Sequence, residues 1–452
     1  MDNRVKGKVE SPKERVKNFK EVEHGYTKEE ALLEASRCLH CNNPRCVKGC
    51  PVNILIPEFI AAIKENNIEK AYKIISESSS LPAICGRVCP QEKQCEQMCI
   101  KGLKGEAIAI GSLERFVADY IIEHPIENTI KIVKKNKKVA IVGSGPAGLS
   151  CAYELARNGI DVTVYEILHK AGGVLTYGIP EFRLPKDIVE KEVHKLEKLG
   201  VTILCDVPIG KAITLSELEK EYDAVFLGTG AGLPKFMGIP GEDANEVFSA
   251  NEVLTRINLM GSFKDNSKTP IKKGKIAYVI GGGNVAMDAV RSLKRLGIDA
   301  HLMYRRSMEE LPARKMEVIH AQEEGIIFDL LKNPVSILTD ENNHVTGMEV
   351  VDMQLTDAGD DKRKGVIPIE GSNHIVKCDM VVEALGTSPN HGALIDSDIK
   401  IDDHGLVETI DSKTSRPNVF AGGDVVTGAA TVILAMEAGK KGAKEIIKFL
   451  EK

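Results

Sequence analysis

The sequence is 452 residues long, more than one ordinary hydrophobic core accommodates, so about two to four domains are expected. Hydrophobic residues make up 43% and charged residues 28%, values typical of soluble globular proteins, and the net charge of −5 gives no basis for nucleic-acid binding. The first 26 residues lack the apolar core of a signal peptide, and no stretch approaches the roughly 18 apolar residues of a membrane span. These features predict a cytoplasmic protein without a membrane span.

The N-terminal part of the chain has the pattern of short helices. Thr27 and Glu30 form the signature of a capping box, which predicts a helix that leads to the first cysteine. Pro57 can start a second helix, whose apolar positions continue as far as Ile75. Residues 1–135 are therefore predicted to form a helical domain.

Eight of the 11 cysteines lie between Cys38 and Cys99, and clustered thiols in a cytosolic chain indicate metal rather than disulfides. In each half of this region one cysteine is followed by proline, as in two-cluster ferredoxins, which predicts two [4Fe–4S] clusters. Zinc is an alternative, although only Cys38 and Cys41 have zinc-knuckle spacing, and redox disulfides are another. The eight residues are Cys38, Cys41, Cys46, Cys50, Cys85, Cys89, Cys95 and Cys99.

All eight cysteines could be ligands, or a nearby acid could replace one of them. Glu114 lies just beyond the second group of cysteines. Considered without any family comparison, Glu114 is expected to be a solvated helix charge. The spacing therefore leaves the identity of the eighth ligand open.

A G-x-G-x-x-G fingerprint follows the apolar run 139–142 and precedes a helical stretch, which is the context of a dinucleotide site. Its glycines are Gly143, Gly145 and Gly148, with Ala147 inside the turn. Glu166 lies where the acid that binds a ribose hydroxyl is expected.

A second fingerprint follows the strand-like run 276–280. Its turn contains Gly281, Gly283, Asn284 and Val285. At the offset that holds Glu166 in the first copy, the second has Tyr304 followed by Arg305 and Arg306. Because a guanidinium pair suits a 2′-phosphate, this site is predicted to prefer NADP(H).

Two fingerprints imply two dinucleotides, and FAD is the natural hydride acceptor at the first site. Gly423 and Asp424 form a short acidic turn before a helical stretch and are suited to a flavin, although Asp424 could equally cap that helix. Cys151, Cys205 and Cys378 are isolated, which disfavours a disulfide reductase.

The alternation of short strands, glycine turns and helices predicts an α/β fold with two Rossmann-like domains, one inserted in the other, after a helical iron–sulfur domain. The expected boundaries are 136–258 with 386–452 for the FAD-binding domain and 259–385 for the NADP(H)-binding domain.

Several motifs together resemble the glutamate synthase small-subunit family, and the resemblance covers nearly the whole chain. They include the cysteine groups, the stretch 172–186, Tyr304-Arg305-Arg306 and Gly422-Gly423-Asp424. Within that family the segment 110–116 is most similar to the large subunit of the electron-bifurcating NADH-dependent ferredoxin:NADP oxidoreductase. Further cofactor-binding residues expected on this basis are Gly173, Arg183, Gly386 and Thr431.

The resemblance also implies a ligand set. One cluster would be held by Cys38, Cys41, Cys46 and Cys99. The other would be held by Cys50, Cys89, Cys95 and Glu114, which leaves Cys85 without iron and places the Glu114-ligated cluster nearer the flavin.

The implied function is that of an oxidoreductase subunit that moves electrons between NADP(H), FAD and the clusters. Its implied partner is a smaller flavoprotein or iron–sulfur subunit in a bifurcating complex, with ferredoxin as a further partner, or a large synthase subunit if the chain is a glutamate synthase small subunit. A non-catalytic scaffold with zinc at the cysteines is an alternative of a different class.

Overall fold

Short helices dominate the first 126 residues. The computed structural model describes residues 3–126, 132–269, 271, 274–358, 364–395 and 397–452. The helices of this first part are α1 (Pro12–Arg15), α2 (Lys28–Ser36), α3 (Arg45–Lys48), α4 (Ile56–Lys64), α5 (Ile68–Ser76), α6 (Pro82–Val88) and α7 (Ile110–Glu123).

Local sequence explains where the helices α2, α4 and α5 begin. The predicted capping box is present at α2, where the Thr27 hydroxyl accepts from the Glu30 N–H at 3.2 Å and Glu30 accepts from the Thr27 N–H at 2.8 Å. The single helix predicted to run from Pro57 to Ile75 is wrong. Asn66 has a φ of 56°, which ends α4, and the Asn67 side chain caps α5 by accepting from the Lys70 N–H.

Strands and helices alternate in the rest of the chain. The helices are α8 (Pro146–Arg157), α9 (Val174–Tyr177), α10 (Lys186–Lys198), α11 (Leu215–Glu221), α12 (Ala250–Leu254), α13 (Asn284–Arg295), α14 (Lys315–Glu323), α15 (Asp424–Thr427) and α16 (Val432–Leu450). The strands are β1 (Lys138–Val142), β2 (Asp161–Tyr165), β3 (Thr202–Leu204), β4 (Ala224–Leu227), β5 (Leu233–Pro234), β6 (Val247–Ser249), β7 (Ile276–Ile280), β8 (Asp299–Tyr304), β9 (Ile327–Leu330), β10 (Lys332–Thr339), β11 (Val345–Ala358), β12 (Lys364–Pro368), β13 (His374–Lys377), β14 (Met380–Glu383), β15 (Thr387–Ser388) and β16 (Val419–Ala421). Shorter turns of helix lie at Gln91–Lys93, Ile100–Leu103, Thr255–Leu259, Met308–Glu310 and His391–Leu394.

Two parallel sheets form the α/β part. The first has the strand order β16-β4-β1-β2-β3 and the second the order β6-β14-β7-β8-β9. Because β16 returns from the end of the chain to the first sheet, the second sheet is inserted within the first domain. The predicted architecture of two Rossmann-like domains, one inserted in the other, is thereby confirmed.

The two sheets are connected by a short antiparallel pair, β5 with β15. Strand β6 already pairs with β14 of the second sheet, although residues 247–249 precede the boundary expected after residue 258. The return crossing at β15 lies next to the boundary expected at residue 386. The first crossing therefore lies nearer β5 than the sequence pattern indicates.

Strands β10 to β13 form an antiparallel sheet that the sequence pattern does not predict. Strand β11 pairs with β10, β12 and β13. Arg306 contacts this sheet, because its Nε donates to the carbonyl of Lys364 at 2.7 Å. The sheet thus lies beside the arginine pair of the second fingerprint.

Within the N-terminal segment, residues 15–22 pack on the second α/β domain, while Glu21 also pairs with Arg87 and Arg115 of the helical domain. Phe19 stacks on Phe263 with ring centroids 4.3 Å apart, and Val22 is buried in the same core. Arg15 is buried and pairs with Glu324 at 2.8 Å and with Glu323 at 2.6 Å, both at the end of α14. Within the described ranges, no helix has the length and apolar content needed to cross a membrane.

Candidate functional site

Four cysteines line one cavity at the outer side of the helical domain. They are Cys38, Cys41, Cys46 and Cys99, and apolar side chains including Ile60 and Ile108 complete the wall. All four are half-buried. Burial raises the pKa of the Cys46 thiol to about 11, and the charge of Cys99 adds to the effect. We call these four residues the outer cysteine group.

A second set, which we call the inner group, comprises Cys50, Cys85, Cys89, Cys95 and Glu114. Cys50, Cys85 and Cys89 are buried. Burial raises the pKa of the Cys50 thiol to about 11, and the charges of Glu114 and Cys89 add to this. The inner side chains therefore lie close enough to act on one another electrostatically.

Glu114 is the group in this set that spacing alone misjudges. It is 6% exposed on α7, not a solvated charge, and its Oε1 has no hydrogen-bond partner among the residues that the structure describes. Burial raises its pKa to about 8, and the charge of Glu192 contributes. A buried carboxylate oxygen without a donor beside thiols is suited to a metal ligand, because coordination would offset its desolvation.

Cys85 is oriented toward the domain built on the first sheet, which is predicted to bind FAD and which we call the flavin-side domain. Its Sγ lies 3.3 Å from Sδ of Met436 on α16. It also contacts Cys89, and burial and that contact raise its pKa well above the usual range. The position of Cys85 is thus compatible with a thiol that packs against α16, while its nearness to Cys89 leaves a ligand role open.

Over the described part of the chain, no three or more His, Cys, Asp or Glu side chains group as ligands of one metal ion. A [4Fe–4S] cluster is larger than one ion, so its thiolates stand further apart. The outer and inner groups are both rich in cysteine, the residue whose thiolate holds [4Fe–4S] clusters.

The first fingerprint has the backbone geometry of a phosphate-binding turn. Gly143 has a φ of +99°, and a Cβ on Gly148 would lie 1.9 Å from the Gly143 carbonyl oxygen. At Gly145, by contrast, a Cβ would meet no described atom within 4 Å. The turn is therefore closely packed on its protein side and open in front of the N-terminus of α8.

Glu166 lies at the end of β2 and holds the loop beside it. One carboxylate oxygen accepts from the N–H of Ser144 at 3.0 Å and from its hydroxyl at 2.5 Å. The other accepts from the Leu168 N–H at 2.9 Å. A carboxylate has about four acceptor sites, so Glu166 retains capacity for a ribose hydroxyl.

Two buried polar atoms lie unpaired near the acidic turn. Oδ1 of Asp424 and Oγ1 of Thr431 have no hydrogen-bond partner in the described ranges. Burial raises the pKa of Asp424 to about 6. Gly423, with a φ of +80°, would place a Cβ 2.8 Å from that of Ala147, so this turn packs directly on the first fingerprint. Unpaired polar atoms at this place fit a bound polar group such as the flavin chain.

Tyr177 was not found by sequence reasoning. Burial raises the pKa of Tyr177 to about 12, and the charges of Glu166 and Asp424 add to the shift. Gly173 lies on the same side, since its Cβ would be 2.8 Å from Cα of Gly145. Gly386 has a φ of +99° at the return crossing. The tyrosine lies inside the stretch 172–186, which carries part of the family resemblance, but no motif marks Tyr177 on its own.

The second fingerprint repeats the geometry of the first. Gly281 has a φ of +141°, and a Cβ there would lie 2.5 Å from the Ala384 carbonyl oxygen, while a Cβ on Gly283 would meet open space within the described ranges. Asn284 and Val285 are exposed at the start of α13. Arg305 is exposed and Arg306 is half-buried, and the pair lies directly after the carboxyl end of β8.

Arg183, which the family resemblance predicts to bind a cofactor, is paired with two acids. Its guanidinium lies 2.7 Å from Asp288 and 3.0 Å from Glu317. Both acids belong to the inserted domain, on α13 and α14. Arg183 therefore ties the flavin-side loop to the nucleotide domain, and its guanidinium has protein partners where a cofactor contact was expected.

Residues 15–126 match the family described as dihydropyrimidine dehydrogenase domain II, 4Fe-4S cluster, and residues 137–439 match the pyridine nucleotide-disulphide oxidoreductase family. FprA from Mycobacterium tuberculosis superposes with a TM-score of 0.59 at 19% identity, covering 70% of this chain and 85% of that one. Thioredoxin reductase from Lactococcus lactis superposes with a TM-score of 0.51 at 21% identity, covering 70% and 99%. These solved structures support the fold of two Rossmann-like domains.

The fold, the cysteine groups and the family matches together define an iron–sulfur flavoprotein that acts as an NADPH-dependent oxidoreductase subunit. The small chain of glutamate synthase [NADPH] from Escherichia coli is 35% identical over 98% of this chain and 97% of its own length. The beta subunit of the NADP(+)-dependent formate dehydrogenase of Moorella thermoacetica is 38% identical over 90% of this chain, which spans 60% of that longer protein. The chain belongs to the glutamate synthase small-subunit family.

Proposed function

We propose that this chain is the subunit of a larger complex through which electrons pass between NADP(H), FAD and two [4Fe–4S] clusters. The observation that carries the proposal is the order of the sites. Cys85 of the inner group contacts Met436 on α16 of the flavin-side domain at 3.3 Å, whereas the four cysteines of the outer group are all partly exposed in the helical domain. This order supports a path from the nucleotide to a partner.

In this proposal the outer cluster is held by Cys38, Cys41, Cys46 and Cys99, and the inner cluster by Cys50, Cys89, Cys95 and Glu114. The mutual electrostatic effects within each set support this division. Replacing one thiolate by a carboxylate changes both the charge and the donor strength at the inner site, and both tune reduction potential.

When bound, FAD supplies hydride acceptance and one-electron release, and the clusters supply one-electron transfer. The open turn at Gly145 would receive the pyrophosphate of FAD, and Glu166 its ribose. Asp424 and Thr431 supply unpaired oxygens for the rest of the molecule. At the second fingerprint, the N-terminus of α13 faces the pyrophosphate of NADP(H), and Arg305 with Arg306 would bind its 2′-phosphate.

For the assembly, the finer proposal is a bifurcating complex that connects NADP(H), NAD(H) and ferredoxin. A smaller flavoprotein or iron–sulfur subunit would then carry NAD(H), and ferredoxin would exchange electrons at the outer cluster. The exposed Leu39 and Ile100 beside the outer cysteines, 61% and 46% exposed, support a protein contact there.

A glutamate synthase small subunit is the second candidate. The end-to-end match with the E. coli small chain, 98% of this chain and 97% of that one, favours it. The partner would then be a large synthase subunit that uses the electrons.

Purification of the complex under anaerobic conditions tests these proposals. We expect FAD, about eight irons per chain for two four-iron clusters, and visible absorption that bleaches when NADPH is added. Stoichiometric zinc in a colourless protein would contradict the proposal. A copurified small flavoprotein with NAD⁺-dependent reduction of ferredoxin by NADPH would favour the bifurcating complex, whereas a large glutamine-processing chain would favour glutamate synthase.

A further inference from the structure

Arg314 lies where the inserted nucleotide domain meets the helical domain. It precedes α14, and its side chain is 13% exposed. The Arg314 backbone N–H donates to Oδ1 of Asn284 at 2.9 Å, and the neighbouring Ala313 N–H donates to the Gly282 carbonyl at 3.3 Å. The segment 313–314 therefore braces the turn of the second fingerprint from behind.

The guanidinium of the same residue extends the other way, into the helical domain. Nη2 donates to Oε1 of Gln91 at 3.1 Å, and Nε donates to Oε1 of Glu92 at 3.2 Å. Lys93 adds a contact from the other side, because its Nζ donates to the Pro312 carbonyl at 3.2 Å. One residue thus connects the nucleotide turn to the segment 91–93.

The anchor in the helical domain is itself rigid. Gln91 is 7% exposed, and its side-chain nitrogen donates to the carbonyls of Cys85 and Gly86 at 3.2 and 3.3 Å. A Cβ on Gly111 would lie 2.4 Å from that nitrogen, so α7 packs directly on Gln91. The loop that bears the inner cysteines therefore fixes the position of Arg314.

Arginine is suited to this place because one planar guanidinium can bind two acceptors at fixed angles while its own backbone N–H binds a third. A turn that is held in its binding conformation does not have to be ordered when the ligand arrives, which strengthens binding. None of the three contacts uses the 2′-phosphate pair Arg305 and Arg306.

We propose that Arg314 is a positioning residue for NADP(H): anchored on Gln91 and Glu92 of the iron–sulfur domain, it holds the Gly282–Asn284 turn in the conformation that receives the nucleotide pyrophosphate. This inference rests on the proposed NADP(H) site at Gly281–Arg306. Its consequence is that a residue of the iron–sulfur domain, which does not touch the nucleotide, sets nucleotide affinity.

The test uses the FAD-loaded full chain and two readouts. The first is the Kd for NADP⁺ and for NAD⁺ by titration calorimetry, and the second is kcat and KM for NADPH with ferricyanide as acceptor. In each of the variants Arg314→Ala and Glu92→Gln, the Kd for NADP⁺ and the Kd for NAD⁺ should rise by the same factor. For Arg314→Ala this factor should be about ten, and kcat should be nearly unchanged. Arg314→Lys, which keeps the charge but loses the fork, should recover only part of the affinity.

Glu58→Gln is the matched control, because Glu58 is an exposed acid on α4 of the same domain. It should leave every value unchanged. The double variant Arg314→Ala/Glu92→Gln should bind both nucleotides no more weakly than Arg314→Ala alone, because the two changes remove the same contact between Arg314 and Glu92. Glu92→Gln is mild enough to decide the matter if Arg314→Ala does not fold.

Unchanged Kd values in both single variants would overturn the inference, and so would additive losses in the double variant. A changed ratio of NADP⁺ to NAD⁺ affinity in Arg314→Ala would also overturn it, because Arg314 would then contact the 2′-phosphate itself. If instead replacing Arg305 and Arg306 leaves that ratio unchanged, the proposed nucleotide site is wrong, whatever Arg314 does.

Discussion

Nη1 of Arg183 donates to both carboxylate oxygens of Asp288 at 2.7 Å, across the boundary between the flavin-side domain and the inserted nucleotide domain. The two side chains are 9% and 5% exposed. The same arginine precedes the loop that leads into α10, so the ion pair couples a flavin-side loop to the helix that follows the second fingerprint.

Arg183→Met should destabilise the protein by about 3–5 kcal/mol, because it leaves Asp288 buried without its main partner. Thermal unfolding of the FAD-loaded chain measures this. The loss in free energy of unfolding should be smaller in Arg183→Met/Asp288→Asn than the sum of the losses in the two single variants. Losses that simply add would show that the pair is not coupled.

Gly145→Ala and Gly148→Ala separate cofactor binding from folding. A Cβ at Gly145 meets open space within the described ranges, so Gly145→Ala should leave the melting temperature of the flavin-free protein unchanged while it lowers FAD binding at least tenfold. A Cβ at Gly148 would lie 1.9 Å from the Gly143 carbonyl oxygen, so Gly148→Ala should lower stability as well. Bound flavin per chain and calorimetric melting are the measurements. Full flavin retention in Gly145→Ala would contradict the assignment of this turn.

Arg305→Ala/Arg306→Ala should reduce the preference for NADPH over NADH by a factor of ten or more, since two charge-assisted contacts are lost. The ratio of kcat/KM for the two nucleotides measures the preference. Arg306→Ala alone should also loosen the antiparallel sheet, because Nε of Arg306 donates to Lys364. Arg416→Ala, which breaks an ion pair with Glu219 in the other domain, is the control and should not change the ratio.

Cys85→Ser and Cys50→Ser distinguish the two ligand assignments at the inner site. If Glu114 is the fourth ligand, Cys85→Ser should keep the wild-type iron content, and Cys50→Ser should lose about half of it, one cluster of two. Glu114→Gln should keep the iron or lose it partly but shift the inner cluster's reduction potential, measured by an EPR-monitored redox titration. Equal iron loss in Cys85→Ser and Cys50→Ser would instead make Cys85 the ligand.

Glu383 predicts how stability depends on pH. Burial raises the pKa of Glu383 from 4.5 to about 7, and the charge of Glu242 adds to the shift. The folded protein binds the proton of the Glu383 carboxyl more tightly than the unfolded chain does. The contribution of this group to the free energy of unfolding is therefore complete below pH 4.5 and is lost as the pH rises through about 7. Glu383→Gln should make the melting temperature vary less between pH 5 and about 8 than in the parent protein, and Glu408→Gln, at an exposed site, should leave the profile unchanged. If the melting temperature of Glu383→Gln varied with pH as in the parent protein, the raised pKa of Glu383 would be contradicted.

Turns with strict backbone requirements could be predicted from the sequence. Gly143 and Gly281 both have a positive φ and a backbone atom close to the place of a Cβ. Each follows a strand directly, so the two turns indicate the carboxyl ends of the strands in the two parallel sheets. The class of architecture followed from these turns together with the late strand β16.

Contacts between distant parts of the chain could not be predicted. Nothing local distinguishes Arg183 or Arg314 from a surface arginine, because each acquires its role from acids more than a hundred residues away. Glu114 is similar, since only tertiary packing makes it buried. The break at Asn66 was missed for a different reason, because apolar spacing continues across it while the backbone does not.

The placement of Phe19 and Arg15 has a consequence for the order of assembly during synthesis. Both residues are synthesised well before their partners, because Phe19 stacks on Phe263 and Arg15 pairs with Glu324. The N-terminal segment must therefore stay undocked until the ribosome has released most of the inserted domain, which makes it one of the last parts to settle. A substitution such as Phe19→Ala would thus be felt first at the nucleotide end of the molecule, whereas Arg4, which pairs with Glu96 at 2.6 Å, ties the residues before this segment to the iron–sulfur domain.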